Sequence, residues 1–125
     1  MTRILVTGAA GSIGKELSLQ ILSLNPSKIV AVDFSEPHLF ELKNLLRNNN
    51  SENTLVCCEL GNTSDYNFML KVFKKHNPDI LFHASAYKHV ELLEENKIEG
   101  IKNNIRSTLF LCKIAYEFNT KKFIL

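Results

Sequence analysis

The stretch "TGAAGSIG", from Thr7 to Gly14, decides the fold that this sequence predicts. It follows the apolar run "RILVT", which is typical of a buried strand, and precedes a segment with helical apolar spacing. Between a strand and a helix, Gly8 can take the tight turn, Gly11 leaves room for a phosphate, and Gly14 lets the helix approach the strand. The helix that begins near Ser12 then directs free N–H groups and its positive dipole end at a diphosphate.

An acidic residue ends the next predicted strand, "KIVAVD", at Asp33, nineteen residues after Gly14. A carboxylate there can accept hydrogen bonds from both ribose hydroxyls of an adenosine, so the pattern favours a dinucleotide. The carboxylate also repels a 2′-phosphate, which favours NAD over NADP, although Lys43 or Arg47 could swing back to offset it.

Two other interpretations of the glycines fit less well. The ATP-type P-loop has four residues between its glycines and Ser or Thr after its lysine, whereas five lie between Gly8 and Gly14 and Glu16 follows Lys15. Glycines that merely permit a turn would not require the strand, the helix and the later carboxylate in these positions.

The composition limits the class of protein. The 125 residues are 45% hydrophobic, enough for one domain with a single core, and a net charge of +2 does not suggest a nucleic-acid partner. No apolar run approaches the roughly 20 residues that span a bilayer, so we expect no membrane segment in this chain. Three cysteines without a CxxC pair predict neither a disulfide framework nor a zinc site, and we expect a cytoplasmic location.

Strand and helix patterns alternate along the whole chain. The predicted strands are Arg3–Thr7, Lys28–Asp33, Thr54–Cys58, Ile80–Ala84 and a last strand that begins with "KFIL". The predicted helices begin near Ser12 and at Pro37, cover about 65–75, and include 101–116. Because the strands are apolar throughout, they indicate a parallel sheet covered on both faces. Right-handed crossovers then predict an α/β, doubly wound sheet of order 3-2-1-4-5.

Helical spacing predicts the core-facing residues: Ile13, Leu17, Ile21, Leu39, Leu42, Leu46, Met69, Val72, Phe73, Ile101, Ile105, Leu109, Cys112 and Tyr116. Cys57 and Cys58 are predicted core residues of their strand. The helix-end positions of His38 and His76 predict surface histidines. His83 lies in an apolar strand end and is interpreted as a packed histidine that lines the cofactor pocket.

Three further stretches carry a resemblance: "VDFSEPHLFEL" (Val32–Leu42), "PDILFHASAYKHVELLEEN" (Pro78–Asn96) and "IKNNIRSTL" (Ile101–Leu109). With the glycine spacing, they resemble the extended short-chain dehydrogenase/reductase superfamily and, within it, the bacterial nucleotide-sugar 4,6-dehydratases of polysaccharide biosynthesis. Those enzymes act on UDP-N-acetylglucosamine. The similarity covers nearly all 125 residues, and "AYKHVELLEEN" is its most specific part.

The resemblance implies a Rossmann domain that binds NAD or NADP. Its implied contacts are Gly8, Gly11, Ser12, Ile13 and Gly14 at the pyrophosphate, Asp33 and Ser35 at the ribose, Ala84, Ser85 and Ala86 along the cofactor, and the helix asparagine Asn104. Where the family has an Asp that meets the adenine amine, this chain offers Glu59 and Leu60. A family glycine is replaced by Ser107.

Lys88 and His89 are the candidate catalytic residues of this chain, because they follow the fourth strand at its carboxyl end, where ligands of such sheets bind. Lys88 could meet a substrate phosphate or hydroxyl, and His89 could shuttle a proton. The alternative is a solvated loop pair. The acidic run Glu91, Glu94 and Glu95 is interpreted as solvated, and no histidine spacing supports a metal site.

The resemblance also implies a reaction and a missing part. The full enzyme moves a hydride from sugar C4 to NAD(P)+, removes water across C5 and C6, and returns the hydride to C6. In the family, the fifth strand continues into Ser/Thr-Asp-Lys, then Tyr- or Met-x-x-x-Lys, then a substrate-binding half. We therefore expect residues 1–125 to be an incomplete, inactive cofactor-binding domain, truncated within the fifth strand, with a nucleotide-sugar substrate and a homo-oligomeric assembly in the full enzyme. An epimerase or reductase, or a binding module without chemistry, stays open.

Overall fold

The computed structural model describes residues 2–50, 53–85 and 97–125. The strands are β1 (Arg3–Thr7), β2 (Lys28–Asp33), β3 (Leu55–Leu60), β4 (Ile80–His83) and β5 (Lys122–Ile124). The helices are α1 (Ser12–Ser23), α2 (Glu36–Asn48), α3 (Tyr66–His76) and α4 (Lys97–Glu117). Their order is the predicted one, but β3 ends two residues later than expected and β4 ends one residue earlier.

All five strands form one parallel sheet in the order β3-β2-β1-β4-β5, which confirms the predicted doubly wound α/β fold. β1 is central, with Leu5 paired to Val30 of β2 on one side and to Leu81 of β4 on the other. All three side chains are fully buried, because helices cover both faces of the sheet. The loops that follow β1 to β4 lie at the carboxyl-terminal ends of the strands, and this end of the sheet is here called the carboxyl edge. The opposite edge is called the amino edge.

Two apolar clusters, one on each face of the sheet, hold the layers together. The first includes Ile4, Val6, Ile29 and Ala31 of the sheet with Ile21 and Leu22 of α1 and Leu39, Leu42 and Leu46 of α2. The second includes Leu5, Val30, Val32 and Leu81 with Met69, Val72 and Phe73 of α3 and Leu111, Ile114 and Ala115 of α4. Each large buried aliphatic or aromatic side chain contributes about 1.5–3 kcal/mol. The core positions predicted on α2 and α3 are confirmed.

The core-facing prediction for α4 is wrong. Ile105, Leu109, Cys112 and Tyr116 are exposed, Tyr116 by 84%. The buried stripe is instead Ser107, Leu111, Ile114 and Ala115. Both stripes have helical spacing, and only the packing of α4 against α3 and the sheet chooses between them. The side chain of Ile101 lies outside the described part of the chain.

At the start of α1, Ile13 is 75% exposed, contrary to its predicted place in the core. It lies in the first turn of the helix, at the carboxyl edge. Leu17 is half-buried and Ile21 is buried. α1 therefore packs through Gly14, Ile21 and Leu22, while Ile13 projects from its first turn away from the core.

His76 is buried, although its place in a polar helix end predicted the surface. Its Nδ1 lies 3.2 Å from Lys28 Nζ, and its Nε2 lies 2.6 Å from Glu59 Oε2. Because an ammonium group can only donate, Nδ1 accepts that bond and Nε2–H donates to the carboxylate. Lys75 Nζ pairs with the same carboxylate oxygen at 3.1 Å. Burial raises the pKa of Glu59, but the hydrogen bonds from His76 and Lys75 outweigh burial, and the pKa is lowered.

Cys57 and Cys58 are half-buried, because β3 is an outer strand with a neighbour on one side only. Cys58 packs against the first cluster and Cys57 against the second. Burial raises the pKa of the Cys58 thiol, partly offset by the nearby Lys43. Within the described residues, no helix combines the length and the apolar character that crossing a bilayer requires.

Candidate cofactor-binding site

Gly8 turns the chain at the end of β1 and presses against the segment that follows β4. Its φ is +65°, a conformation that favours glycine. A Cβ on Gly8 would lie 2.6 Å from Ser85 Cα and 2.7 Å from the carbonyl carbon of Ala84. No other residue type fits here, so the predicted tight turn is confirmed in its backbone geometry.

Gly14 brings α1 against that turn. A Cβ on Gly14 would overlap the carbonyl oxygen of Gly8 and lie 2.8 Å from Ala9 Cα. Gly11 is the N-cap of α1 and adds no side chain to the helix end, and its N–H donates to Gly8 O at 3.2 Å. The first turn of α1 contains no acidic residue. The positive end of the helix dipole therefore lies above a turn without large side chains, where an anion is stabilised.

Asp33 connects the loop after β2 to the glycine turn. Its side chain is 3% exposed. Its Oδ2 accepts a hydrogen bond from Ala10 N at 3.0 Å, and its Oδ1 accepts one from Ser35 N at 3.0 Å. Ser35 Oγ in turn lies 2.9 Å from His38 Nδ1 on the surface. These two backbone bonds fix the Asp33 carboxylate between the glycine turn and the start of α2.

Glu59 does not project from the carboxyl edge as a loop residue. It lies within β3, and its carboxylate is held by His76 and Lys75 at the end of α3. Helices of such a sheet run opposite to its strands, so this end of α3 lies toward the amino edge. Leu60 ends β3 opposite Asp33 and is half exposed.

The first residues beyond β3 are Gly61 and Asn62, which the sequence analysis did not name. Gly61 N donates to Asp33 O at 3.0 Å, and the Phe68 ring fills the place of a Gly61 side chain. Asn62 is exposed, and its Oδ1 accepts bonds from Ser64 N at 2.9 Å and Ser64 Oγ at 2.6 Å. The Gly-Asn pair is itself a turn signal, and it would have placed the end of β3 correctly.

His83 ends β4 opposite Thr7 and is 6% exposed. Its Nδ1 lies 2.6 Å from Thr7 Oγ1 and 3.1 Å from Ser85 Oγ. Burial lowers the pKa of this imidazole. The ring is buried, which confirms the prediction of a packed histidine.

The structure brings most of the predicted cofactor contacts together at the carboxyl edge. Hydrogen bonds and close packing join the glycine turn, Asp33, Ser35, Leu60, Ala84 and Ser85. Ala86, Lys88, His89 and the acidic run Glu91, Glu94 and Glu95 lie outside the described residues. Asn104 belongs to α4, and its side chain lies outside the described part. No cluster of three metal-ligating side chains occurs among the described residues.

This arrangement suits a ligand with phosphates at one point and hydroxyls at another. The bare turn and the helix N-terminus can bind a diphosphate, and the Asp33 carboxylate can accept from a ribose. A parallel sheet offers such a crevice at its carboxyl edge, where the strand order reverses beside β1.

This chain is similar in sequence and in structure to several known proteins. It is 40% identical over 97% of its length to an uncharacterized membrane protein of Methanocaldococcus jannaschii, and covers 34% of that protein. It is 30% identical over 97% of its length to a UDP-N-acetylglucosamine 4,6-dehydratase (inverting) of Campylobacter jejuni, again covering 34%. The UDP-glucose 4-epimerase of Bifidobacterium longum, solved with NAD+ and UDP, superposes with a TM-score of 0.79 at 28% identity, over 98% of this chain and 36% of the epimerase.

The chain thus spans about a third of the length of these relatives. A family model described as polysaccharide biosynthesis protein matches residues 4–125, which is almost the whole chain. The match includes both the glycine turn and Asp33. With its fold and its site geometry, this chain belongs to the polysaccharide biosynthesis protein family.

Proposed function

We propose that this chain binds NAD as the cofactor part of an enzyme that removes water from a nucleotide sugar, UDP-N-acetylglucosamine, for polysaccharide synthesis. The observation that carries the proposal is the glycine turn tied to Asp33 through Ala10 N, which joins a phosphate site to a ribose site. The relatives that are solved with NAD+ and the dehydratase of similar sequence support it.

The residues of this chain hold and orient the cofactor. Gly8, Gly11 and Gly14 leave backbone N–H groups and the α1 dipole facing the diphosphate. Asp33 accepts from the adenosine ribose, and Leu60 with Asn62 borders the adenine. The nicotinamide, when bound, supplies a reversible hydride acceptor. Ala84 and Ser85 would line the bound cofactor at the end of β4, and Lys88 and His89 stay candidates for contact with the substrate.

NAD is favoured over NADP because the Asp33 carboxylate repels a 2′-phosphate. Lys43 lies about two helical turns and Arg47 about three turns beyond the start of α2, and their charges act on the Cys58 thiol. A phosphate about 4 Å from the Asp33 carboxylate would be repelled by about 4 kcal/mol per unit charge at an effective dielectric constant of 20.

Titration calorimetry with NAD and with NADP on the wild type and on Asp33→Asn tests the cofactor site. We expect NAD to bind the wild type more tightly than NADP does. The variant should lose about 10- to 100-fold in NAD affinity, because a hydrogen bond to a charged group contributes about 1.5–3 kcal/mol. The NADP affinity should fall less, since the repulsion is removed as well.

Asp79→Asn is the matched control. Asp79 also accepts a backbone hydrogen bond, from Arg3 N at 2.9 Å, but it lies at the amino edge, away from the site. Asp79→Asn should lower the free energy of unfolding and leave the NAD affinity unchanged. Equal losses of affinity in the two variants, or wild-type preference for NADP, would contradict the assignment of Asp33.

The substrate assignment needs a protein that contains this chain at the length of its relatives. Incubated with UDP-N-acetylglucosamine, such a protein should release a product lighter by one water, whereas an epimerase would give a product of unchanged mass. The epimerase is the second candidate, because an epimerase shares 28% of the sequence over this domain. We expect the 125-residue chain to be inactive by itself, and sedimentation to show a homo-oligomer of the longer protein.

A further inference from the structure

Three hydroxyl groups and one imidazole form a continuous network at the carboxyl edge. Thr63 Oγ1 donates to Ser85 Oγ at 3.2 Å. Ser85 Oγ lies 3.4 Å from Thr7 Oγ1 and 3.1 Å from His83 Nδ1, and Thr7 Oγ1 lies 2.6 Å from the same nitrogen. These four residues, called the His83 network, come from β1, β4 and the loops after β3 and β4.

The hydrogen atoms of the His83 network fit one arrangement best. Thr63 donates its single hydroxyl hydrogen to Ser85 Oγ, Ser85 donates to Thr7 Oγ1, and Thr7 donates to His83 Nδ1. All three donors are satisfied when Nδ1 is an acceptor, which places the ring hydrogen on Nε2. A protonated imidazole donates from both nitrogens, so the Thr7 hydroxyl would lose Nδ1 as its acceptor.

The surroundings of the ring favour the neutral form. Among the described residues, the ring is hydrogen-bonded to the hydroxyls of Thr7 and Ser85, and the Phe123 ring on β5 lies beside it, with the ring centroids 6.2 Å apart. None of these carries a charge, and burial is the cause of the lowered pKa of His83.

The His83 network lies between the glycine turn and the Ala84–Ser85 segment, two parts of the proposed cofactor site. Thr7 directly precedes Gly8, and Ala84 N donates to Thr7 O at 3.0 Å. The space for a Gly8 Cβ is closed by Ser85 Cα at 2.6 Å. The backbones of the glycine turn and of the Ala84–Ser85 segment are therefore in close contact, and the side-chain hydrogen bonds of the His83 network also join them.

We propose that neutral His83 is a positioning residue, which holds the glycine turn against the Ala84–Ser85 segment through Thr7 and Ser85, and that its protonation weakens cofactor binding. The inference rests on the proposed NAD site. It assigns His83 no contact with the substrate or the reacting atoms.

NAD affinity measured by calorimetry between about pH 8 and about pH 5, on either side of the ordinary histidine pKa of about 6.5, tests the proposal. Wild-type affinity should fall by about tenfold at the acid end, about 1.4 kcal/mol. His83→Asn, whose amide oxygen can replace the Nδ1 acceptor, should keep the affinity seen at pH 8 and lose the pH dependence. His83→Leu should bind weakly at every pH.

His76→Gln is the matched control, since it replaces a buried histidine at the amino edge and keeps a donor toward Glu59. It should show the wild-type pH profile for NAD. If His83→Asn keeps the acid loss, or His76→Gln abolishes it, the proposal is overturned.

Nitrogen-15 NMR of the free chain gives a readout that does not need the cofactor. We expect a hydrogen on Nε2 and an unprotonated Nδ1 in His83 at pH 8, and faster exchange of the Gly8 and Ala9 amides as the ring is protonated. A hydrogen on Nδ1, or exchange rates that ignore the titration, would overturn the inference. Wild-type chain that shows the expected tautomer but binds no NAD would instead contradict the proposed function.

Discussion

At Gly14, the absence of one side chain sets the position of a helix. A glycine inside a helix is normally about 1 kcal/mol less stable than alanine. Here a Cβ would overlap the carbonyl oxygen of Gly8, a backbone atom that cannot rotate away. The cost of overpacking, about 1–3 kcal/mol, therefore exceeds the gain in helix propensity. The sequence predicted this glycine correctly because its spacing from Gly8 is local.

Replacing Gly14 by alanine should lower the free energy of unfolding by up to about 2 kcal/mol, the overpacking cost less the gain in helix propensity, and weaken NAD binding more than tenfold, because α1 must move off the turn that it covers. Urea denaturation and calorimetry measure the two effects. Lys15→Ala, at an exposed neighbour on the same helix, should change neither by a comparable amount. A Gly14→Ala protein that is more stable than the wild type would show that the backbone yields freely there.

At the scale of an element, α4 carries two apolar stripes and buries only one. Leu111 and Ile114 pack with Met69 and Phe73 of α3 in the second cluster, whereas Leu109 is 64% exposed. Apolar spacing predicts a helix from either stripe, but it does not say which stripe faces the sheet. The small buried Ser107 and Ala115 mark the side on which α4 can approach its neighbours.

Truncation of the two leucines should therefore have unequal effects. Leu111→Ala should lower the free energy of unfolding by about 2–5 kcal/mol, because it leaves a cavity in the core. Leu109→Ala, the same chemical change on the exposed stripe, should stay within about 0.5 kcal/mol. Chemical denaturation of both variants measures the difference. Similar losses would mean that the exposed stripe is covered in solution.

At the scale of the whole molecule, the fold joins residues that the sequence separates widely. The Lys28–His76 bond spans 48 residues and the His83–Thr7 bond spans 76. Glu59 and His76 tie the edge strand β3 to the end of α3, and Lys28 adds the start of β2. Ion pairs and hydrogen bonds thus join β2, β3 and α3.

This amino-edge cluster should make stability fall in acid. The pKa of Glu59 is lowered in the folded state from an ordinary value of 4.5, so the unfolded chain binds the proton first. The contribution is complete above about pH 4.5 and is lost as the pH falls through the folded value. Glu59→Gln should flatten that part of the profile of unfolding free energy against pH, and Glu41→Gln, at an exposed site on α2, should not. An unchanged profile in Glu59→Gln would contradict the role of the cluster.

The sequence by itself determined the alternation of strands and helices, the strand order, the glycine turn and the carboxylate of Asp33 at the end of β2. These features depend on apolar periodicity, backbone freedom and short spacings, which neighbouring residues set. Only the tertiary structure decided which stripe of α4 is buried, that Glu59 turns toward His76 while Asn62 reaches the carboxyl edge, and that His83 joins Thr7 to Ser85. Such outcomes depend on contacts between distant segments, where packing and desolvation choose among side-chain placements that local patterns leave equivalent.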